Sequence, residues 1–249
     1  MPRINAYLVA GGKWHDINHA RLELLKLLAE DEDIRVRVAE DYRDSEGIAA
    51  AEFLISYTCD VRPSEAQQDA LEAYVSSGHR WLALHGTNSA LDFTPNGVNS
   101  PRAFPKFVRT LGSQFIAHPP IQPYTVTAAA PEHPLVAGVG DFEVDDELYL
   151  SEMHGEIEPL LQTKFNGEAT GFVEKEWHTD DPRIVAYLHP VGAGLVYYNT
   201  LGHCRSKYDM QAPPLNIAVY PKRELGAWAT PQYYELLRRG IQWAKQPAG

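Results

Sequence analysis

Three histidines stand directly after short apolar segments of the chain. His15 follows the apolar run Ile4–Gly12, His85 follows "RWLAL", and His203 follows "GLVYYNTLG". Imidazole ionises near pH 6.5, so its neutral form can bind a metal ion or move a proton at physiological pH. The chain has 10 histidines, and some will follow apolar segments by chance. The joint pattern is more specific, and it predicts one shared site if the three segments are neighbouring strands.

A fourth member of this site is expected in the acidic segment "VDDELYL", Val144–Leu150. Consecutive side chains on a strand point to opposite faces, so Asp145, Asp146 and Glu147 cannot all point the same way. We predict that Glu147 enters the cleft as a base or a metal ligand and shares catalysis with the three histidines. A solvated acidic turn is the alternative interpretation of these residues.

Further side chains near these positions are predicted to bind substrate. Each of them lies within three residues of a candidate catalytic residue, except His118, which lies in a loop before two prolines. The predicted substrate-binding residues are Trp14, Asn88, His118, Asp146, Tyr149 and Arg205.

The same imidazoles are candidate metal ligands. His15, His85 and His203 would leave one coordination position for substrate, as catalytic zinc sites with three protein ligands do. Zn²⁺ and Mn²⁺ are the candidate ions, and a metal-free site that uses the imidazoles for proton transfer stays open as the alternative. No nucleotide cofactor is expected, because a Walker-type phosphate loop is absent and "VAGGKW" lacks the third glycine of a dinucleotide fingerprint.

The elements that must position these groups alternate along the first part of the chain. Strands are predicted at Ile4–Gly12, "IRVRVAED", Phe53–Tyr57 and "RWLALH", with helices at "INHARLELLKLLAEDED" and "PSEAQQDALEAYVSSGH". This alternation predicts the α/β class, with a doubly wound, mostly parallel sheet of flavodoxin-like type inside a three-layer sandwich. Ligands of such sheets bind beyond the carboxyl ends of the strands, which is where the candidate histidines fall.

The rest of the chain is expected to complete a single α/β domain over residues 1–249. Later strands are predicted at "YTVTAA", "RIVAYLHP" and "GLVYYNTLG", and a closing helix begins after Thr230 with Pro231 in its first turn. A long loop around 204–229 precedes that helix, and long loops in compact domains are often functional.

Composition narrows the range of partners and locations. The net charge is −11 and the sequence pI is about 5.3, which disfavours nucleic acids and anionic membranes. No apolar run approaches the roughly 20 residues of a membrane helix, and no signal-peptide pattern is visible, so a cytoplasmic protein is expected. A homo-oligomer is compatible with the sequence, which leaves oligomeric state open.

Cysteine chemistry is not favoured. Cys59 and Cys204 do not form a secreted disulfide framework, and each is better interpreted as a small buried thiol than as a nucleophile. The nucleophile motif G-x-S-x-G is also absent. The segment "LALHGTN" has the layout of a nucleophile elbow but carries His85 at the position of the nucleophile.

Taken together, the motifs resemble the ThuA-like (trehalose utilisation) family, within the class I glutamine-amidotransferase-like fold. The resemblance rests on "GGKWHD", "GHRWLALHG", "GSQFIAHP", "EHPLVAGVGDFEVDDELY" and "GAGLVYYNTLGH", in that order. In that fold the elbow carries a cysteine that works with a histidine after a late strand. The resemblance therefore implies a retained cleft with replaced chemistry, in which glutamine hydrolysis is not expected.

The resemblance implies carbohydrate utilisation, on a disaccharide or keto-sugar. Isomerisation, epimerisation or elimination next to a carbonyl needs a base and an acid or metal that stabilises the developing charge, which histidines and one carboxylate can supply. Trp14 and Tyr149 offer faces on which a sugar ring can stack. Two alternatives stay open: a metal-dependent hydrolase, and a non-catalytic sugar-binding or regulatory module.

Overall fold

The computed structural model describes residues 3–211 and 213–246. Strands are numbered in chain order: β1 (Ile4–Gly12), β2 (Ile34–Ala39), β3 (Phe53–Cys59), β4 (Arg80–Leu84), β5 (Asp92–Thr94), β6 (Gly97–Asn99), β7 (Ser113–Ala117), β8 (Gln122–Ala128), β9 (Phe142–Asp146), β10 (Leu150–Met153), β11 (Glu158–Thr163), β12 (Gly167–Glu168), β13 (Glu176–Trp177), β14 (Arg183–Val191) and β15 (Gly194–Asn199). The described α-helices are α1 (Ile17–Leu28), α2 (Ser45–Ala49), α3 (Glu65–Ser76), α4 (Pro105–Leu111) and α5 (Pro231–Ala244).

A nine-stranded sheet of order β2-β1-β3-β4-β15-β14-β11-β8-β9 dominates the described structure. The first five strands of this order pair in parallel, which confirms the predicted doubly wound α/β class. From β15 onward the pairing is antiparallel. Only Gly192 and Ala193 separate β14 from β15, and so short a connection can join only antiparallel strands.

Helices cover both faces of the sheet, as the three-layer prediction requires. On one face, α1 and α5 pack through residues such as Leu24 and Ile241. On the other face, α2, α3 and α4 pack through residues such as Leu71 and Phe107. The parallel strands β3 and β4 lie between these layers and are buried along their whole lengths. The carboxyl ends of β1, β3 and β4 are therefore held in a rigid frame.

Helix termini follow the sequence signals with one exception. At the start of α3, Ser64 Oγ accepts from the Gln67 N–H and Gln67 Oε1 accepts from the Ser64 N–H, which forms a capping box. Helix α5 begins at Pro231 as predicted, but Thr230 gives it no side-chain cap. The Thr230 hydroxyl donates instead to the carbonyl of Ala227 in the preceding 3₁₀ turn, at 2.8 Å.

The elbow after β4 is a single 3₁₀ turn, His85–Asn88, followed by the small β5–β6 hairpin rather than by an α-helix. His85 has a φ of 45°, in the left-handed region that non-glycine residues rarely occupy. At Gly86, a Cβ would come within 2.7 Å of the Thr58 carbonyl oxygen, so this position cannot carry a side chain without displacing β3. The tight approach of the elbow to β3 explains the glycine in "LALHGTN".

The long loop before α5 is closed at its base by an antiparallel bridge between Arg205 and Glu224. Each of these residues donates its backbone N–H to the carbonyl of the other, both at 2.9 Å. A 3₁₀ turn, Gly226–Ala229, then leads into α5. Within the described ranges, none of the helices is long and apolar enough to cross a membrane.

Candidate active site

Four side chains converge beyond the carboxyl ends of the parallel strands. His15 follows β1, His85 forms the elbow after β4, His203 follows β15, and Glu147 lies between β9 and β10. One ligating atom from each of the four lies within 4.8 Å of the other three, and all four residues are buried. The structure thus brings together the four residues proposed from the sequence as catalytic.

The orientation of two of these histidines is set by backbone carbonyls. His85 Nδ1 lies 2.8 Å from the carbonyl oxygen of Thr200, and His15 Nδ1 lies 3.4 Å from that of Lys13. A carbonyl can only accept, so each Nδ1 carries the proton and each neutral ring presents a lone pair at Nε2. The two Nε2 atoms face each other at 2.9 Å. A proton or a cation between them is needed to remove the repulsion of two lone pairs.

Glu147 and His203 supply the opposite side of the cluster. Glu147 Oε2 lies 3.5 Å from the Nε2 atoms of both His15 and His85, while Oε1 lies 3.1 Å from His203 Nδ1. His203 Nε2 is held by Glu224 Oε2 at 2.8 Å. Arg205 bridges the two carboxylates, at 3.2 Å from Glu147 and 3.0 Å from Glu224. A continuous network of ion pairs therefore lies on this side of the cluster, formed by Glu147, His203, Glu224 and Arg205.

Burial and charge act differently on the members of this network. Burial lowers the pKa of His15 to about 3, which keeps its imidazole neutral. Burial also opposes the charge of His203, but the carboxylates of Glu147 and Glu224 outweigh it and raise the pKa of His203 to about 9. For Glu147 burial favours the neutral acid, yet His203 and the neighbouring histidines hold its pKa well below the usual range.

The donor set fits a divalent metal ion. His203 Nδ1 is buried and, despite its short distance to Glu147, has no hydrogen-bond partner of suitable geometry among the described residues. A metal ion bound by His15 and His85 Nε2, His203 Nδ1 and Glu147 would remove the repulsion between the two facing nitrogens and give His203 Nδ1 a partner. Imidazole and carboxylate donors suit Zn²⁺ and Mn²⁺, and zinc–nitrogen distances are about 2 Å.

Three other side chains adjoin the cluster without belonging to it. Tyr149 places its hydroxyl 3.3 Å from His85 Nε2. The ring of Tyr57 stacks on His85, with ring centroids 5.9 Å apart. His118 is less buried, and its Nε2 lies 3.7 Å from Glu147 Oε1. Its Nδ1 donates to the Pro119 carbonyl oxygen, 2.7 Å away, which fixes the ring with Nε2 on the side of Glu147.

Three of the predicted substrate-binding residues have other contacts in the structure. Both carboxylate oxygens of Asp146 accept hydrogen bonds from backbone N–H groups, which belong to the segment after β15 and to the turn before α5. Asn88 Nδ2 donates to Ser113 Oγ at 2.7 Å, away from the four-residue cluster. Arg205 is held between two carboxylates and donates its Nε–H to the Trp14 carbonyl. Asp146 and Arg205 are thus engaged by other groups of the protein, while Asn88 Oδ1 is buried without a hydrogen-bond partner among the described residues, and substrate binding by these three residues stays a prediction.

Sequence reasoning missed Glu224 and the Thr200 carbonyl, which fix the orientations of His203 and His85. Glu224 lies at the end of the long loop, and only the length of that loop marked the region as functional. A backbone carbonyl has no sequence signature. Both contacts depend on the path of the chain after β15, and the spacing of residues in the sequence does not predict that path.

The cysteines are free and buried, as the sequence indicated. Burial raises the pKa of Cys59 well above its usual range and that of Cys204 to about 12. At neutral pH these shifts favour the thiol over the nucleophilic thiolate at both positions.

The fold and the site together define an α/β protein in which the turn after β4 carries a histidine of a buried polar cluster. The chain belongs to the ThuA family, described as trehalose utilisation, whose model matches residues 6–214. No protein of curated function matches the chain.

Solved structures share the fold at low sequence identity. A ThuA-like protein from Parabacteroides merdae ATCC 43184 is 17% identical, with a TM-score of 0.70 over 98% of this chain and 90% of that one. A ThuA-like protein from Bacteroides uniformis ATCC 8492 is 17% identical, with a TM-score of 0.68 over 98% and 91% of the two chains. A cold-adapted β-galactosidase from Rahnella sp. R3 is 14% identical, with a TM-score of 0.55 over 98% of this chain and 31% of the galactosidase.

Proposed function

We propose that this chain is a metal-dependent carbohydrate enzyme of the isomerase, epimerase or lyase type, acting on a keto-sugar or a keto-disaccharide. The observation that carries the proposal is the convergence of three imidazoles and one carboxylate, all buried and with ligating atoms within 4.8 Å of one another, with His203 Nδ1 left without a hydrogen-bond partner among the described residues. Membership of the trehalose utilisation family supports a carbohydrate as the substrate class.

A bound divalent ion would polarise the substrate carbonyl and stabilise negative charge that develops on its oxygen. The ring orientations of His15 and His85, fixed by the Lys13 and Thr200 carbonyls, are those needed to hold such an ion. His203 is held in the same way by Glu224. These contacts act on the ligands before substrate arrives, so no reorganisation is needed during the reaction.

His118 is the group proposed to move the proton. Its Nε2 carries a lone pair, lies at the edge of the cluster, and is more exposed than the four buried residues, so a substrate can reach it. The Tyr149 hydroxyl, 3.3 Å from His85 Nε2, is placed to hold a substrate oxygen. Deep burial of His85 and His203 excludes water, which protects a carbanion-like species from side reactions.

The proposal is tested by turnover of a panel of keto-sugars in D₂O. Proton abstraction next to the carbonyl exchanges that proton with solvent, so deuterium should enter the substrate or product carbon. His118→Asn should lower the rate by about 10²- to 10⁴-fold, the usual contribution of a general base, while the metal content stays at the wild-type level. His178→Asn, at an exposed histidine, is the matched control and should retain full rate.

Other outcomes would replace the proposal with one of its alternatives. Release of two monosaccharides without deuterium at carbon would indicate a metal-dependent hydrolase. Saturable sugar binding with no consumption of any keto-sugar would indicate a binding or regulatory module. Wild-type turnover by the His118 variant would remove that residue from the mechanism.

A further inference from the structure

Trp14, the residue before His15, lines a cavity that contains none of the four cluster residues in its lining. Its volume is about 430 Å³, within the range of small-molecule sites, and its lining includes Lys13, Trp14, Asp60, Arg62, Phe93 and Pro214. Pro214 comes from the long loop before α5, so this loop forms part of the cavity wall. Trp14 precedes His15 in the chain, so one lining residue of the cavity is the chain neighbour of a member of the four-residue cluster.

Two aromatic rings form one wall of the cavity. Trp14 and Phe93 lie with ring centroids 5.1 Å apart and planes inclined at 57°. Trp14 is only 4% exposed, and its indole Nε1–H is buried without a hydrogen-bond partner among the described residues. A buried unpaired donor is unfavourable. Trp14 has a φ of 72°, a conformation that a tryptophan adopts only when its surroundings impose it.

Polar groups line the opposite side, and their charges balance. Asp60 is 9% exposed, and its Oδ1 accepts from Arg62 Nε at 3.0 Å and from the Leu91 N–H at 3.2 Å. Its Oδ2 has only a long contact of 3.5 Å to Lys13 Nζ. Arg62 also pairs with Asp92, which lines the same cavity. Two cations and two carboxylates leave no net charge to attract an anion, while Asp60 Oδ2 remains able to accept from a hydroxyl.

We propose that this cavity is a subsite for a neutral, polyhydroxylated ring, namely the half of a disaccharide-sized substrate that does not react. The inference rests on the proposed function, which supplies the other half of the substrate, the keto-sugar ring that reacts at the four-residue cluster. Aromatic faces with a buried carboxylate and paired cations match the apolar faces and hydroxyl edges of a sugar ring. Trp14 connects the two regions, because its carbonyl accepts from Arg205, which contacts Glu147.

The subsite is tested by calorimetric titration of the full chain with trehalose, glucose and glucose 6-phosphate. Asp60→Asn keeps the shape of the side chain and tolerates the φ of 55° at this position. It should weaken trehalose binding about tenfold or more, as expected for a lost charge-assisted hydrogen bond. Phe93→Ala should weaken it severalfold through lost stacking. Asp141→Asn, at an exposed aspartate, should bind trehalose as the wild type does.

Failure of this inference and failure of the proposed function give different results. If Asp60→Asn and Phe93→Ala fold, retain metal and bind trehalose like the wild type, the subsite is wrong even when keto-sugars are consumed. Tighter binding of glucose 6-phosphate than of trehalose, or no binding of trehalose by the wild type, would also overturn it. If trehalose binding is sensitive to both substitutions in a protein that holds no metal, the subsite stands and the proposed function fails.

Discussion

Replacing Glu147 by glutamine removes one negative charge from the centre of the site without changing the size of the side chain. In the native protein the two oxygens of Glu147 face His15, His85, His203 and Arg205. The variant Glu147→Gln leaves these groups around a neutral amide. We expect it to destabilise the metal-free protein and to reduce the amount of metal that the protein retains.

The size of the expected stability loss follows from the charged partners that remain in the variant. Removing one partner of a buried ion pair costs about 3–5 kcal/mol when the other charge is left alone. Here both cations keep a carboxylate, because Glu224 Oε2 lies 2.8 Å from His203 Nε2 and 3.0 Å from Arg205 Nη1. The lower end of the range, about 3 kcal/mol, is therefore expected. For a chain of this size that corresponds to a fall in Tm of roughly 6–12 °C.

Differential scanning calorimetry of chelator-treated protein measures the stability change, and elemental analysis of untreated protein measures the metal content. Glu152→Gln is the matched control, because Glu152 forms an exposed ion pair with Arg102. Such surface pairs contribute about 1 kcal/mol or less. A Tm within about 2 °C of wild type for Glu147→Gln, together with unchanged metal content, would show that this carboxylate neither stabilises the cluster nor binds metal.

Three further predictions concern the same region. Zn²⁺ or Mn²⁺, added to chelator-treated protein at about 100 times the Kd of the ion, should stabilise the fold by about 2.7 kcal/mol. Calorimetry should show this as a rise in Tm of roughly 5–11 °C. A similar rise in the His203→Ala variant would contradict the assignment of His203 as a metal ligand. Asp146→Ala removes the acceptor for the backbone N–H groups of Gly202, His203 and Ala227. Denaturant unfolding should therefore show a free energy of unfolding lower by roughly 3 kcal/mol or more. A decrease below about 1 kcal/mol would mean that these N–H groups find other acceptors. The raised pKa values of Cys59 and Cys204 predict that iodoacetamide at pH 8 leaves both thiols unmodified in the native protein and labels both after unfolding. Mass spectrometry measures the labelling, and a label on either thiol in the native state would refute the prediction.

The strands of the parallel half were predictable because each is buried or alternating, and α3 was predictable from its end signals, whereas the short helix α2 was not predicted. The predicted strand Ile4–Gly12 coincides with β1, and "IRVRVAED" contains β2 at the sheet edge, as its alternation indicated. The antiparallel half was less predictable. Its order depends on pairings such as β11 with β8 that join residues far apart in the chain, and no local pattern specifies them.

Within the site, residue type and strand-end position selected His15, His85, His203 and Glu147, but they did not show that Asp146 and Glu147 have different surroundings. Asp146 and Glu147 are adjacent and both buried, because β9 ends between them and the chain turns. Asp146 then faces backbone N–H groups, while Glu147 faces the histidines. The strand rule of alternating faces predicts that adjacent acids diverge, but it does not say which one reaches the cleft.

The elbow after β4 uses the backbone of a nucleophile elbow for a different purpose. A φ of 45° at His85 costs on the order of 1–3 kcal/mol, and it persists because the surrounding contacts fix it. The Thr200 carbonyl accepts from the imidazole Nδ1–H, and the Tyr198 hydroxyl donates to the His85 carbonyl. A cysteine in this conformation would present one short reactive atom to the cleft. Imidazole has two nitrogens, so one can be fixed by Thr200 while the other reaches His15 at 2.9 Å. The strained turn therefore brings His85 Nε2 to a cluster whose other members follow β1, β9 and β15, and the proposed chemistry requires the assembled cluster rather than the elbow residue alone.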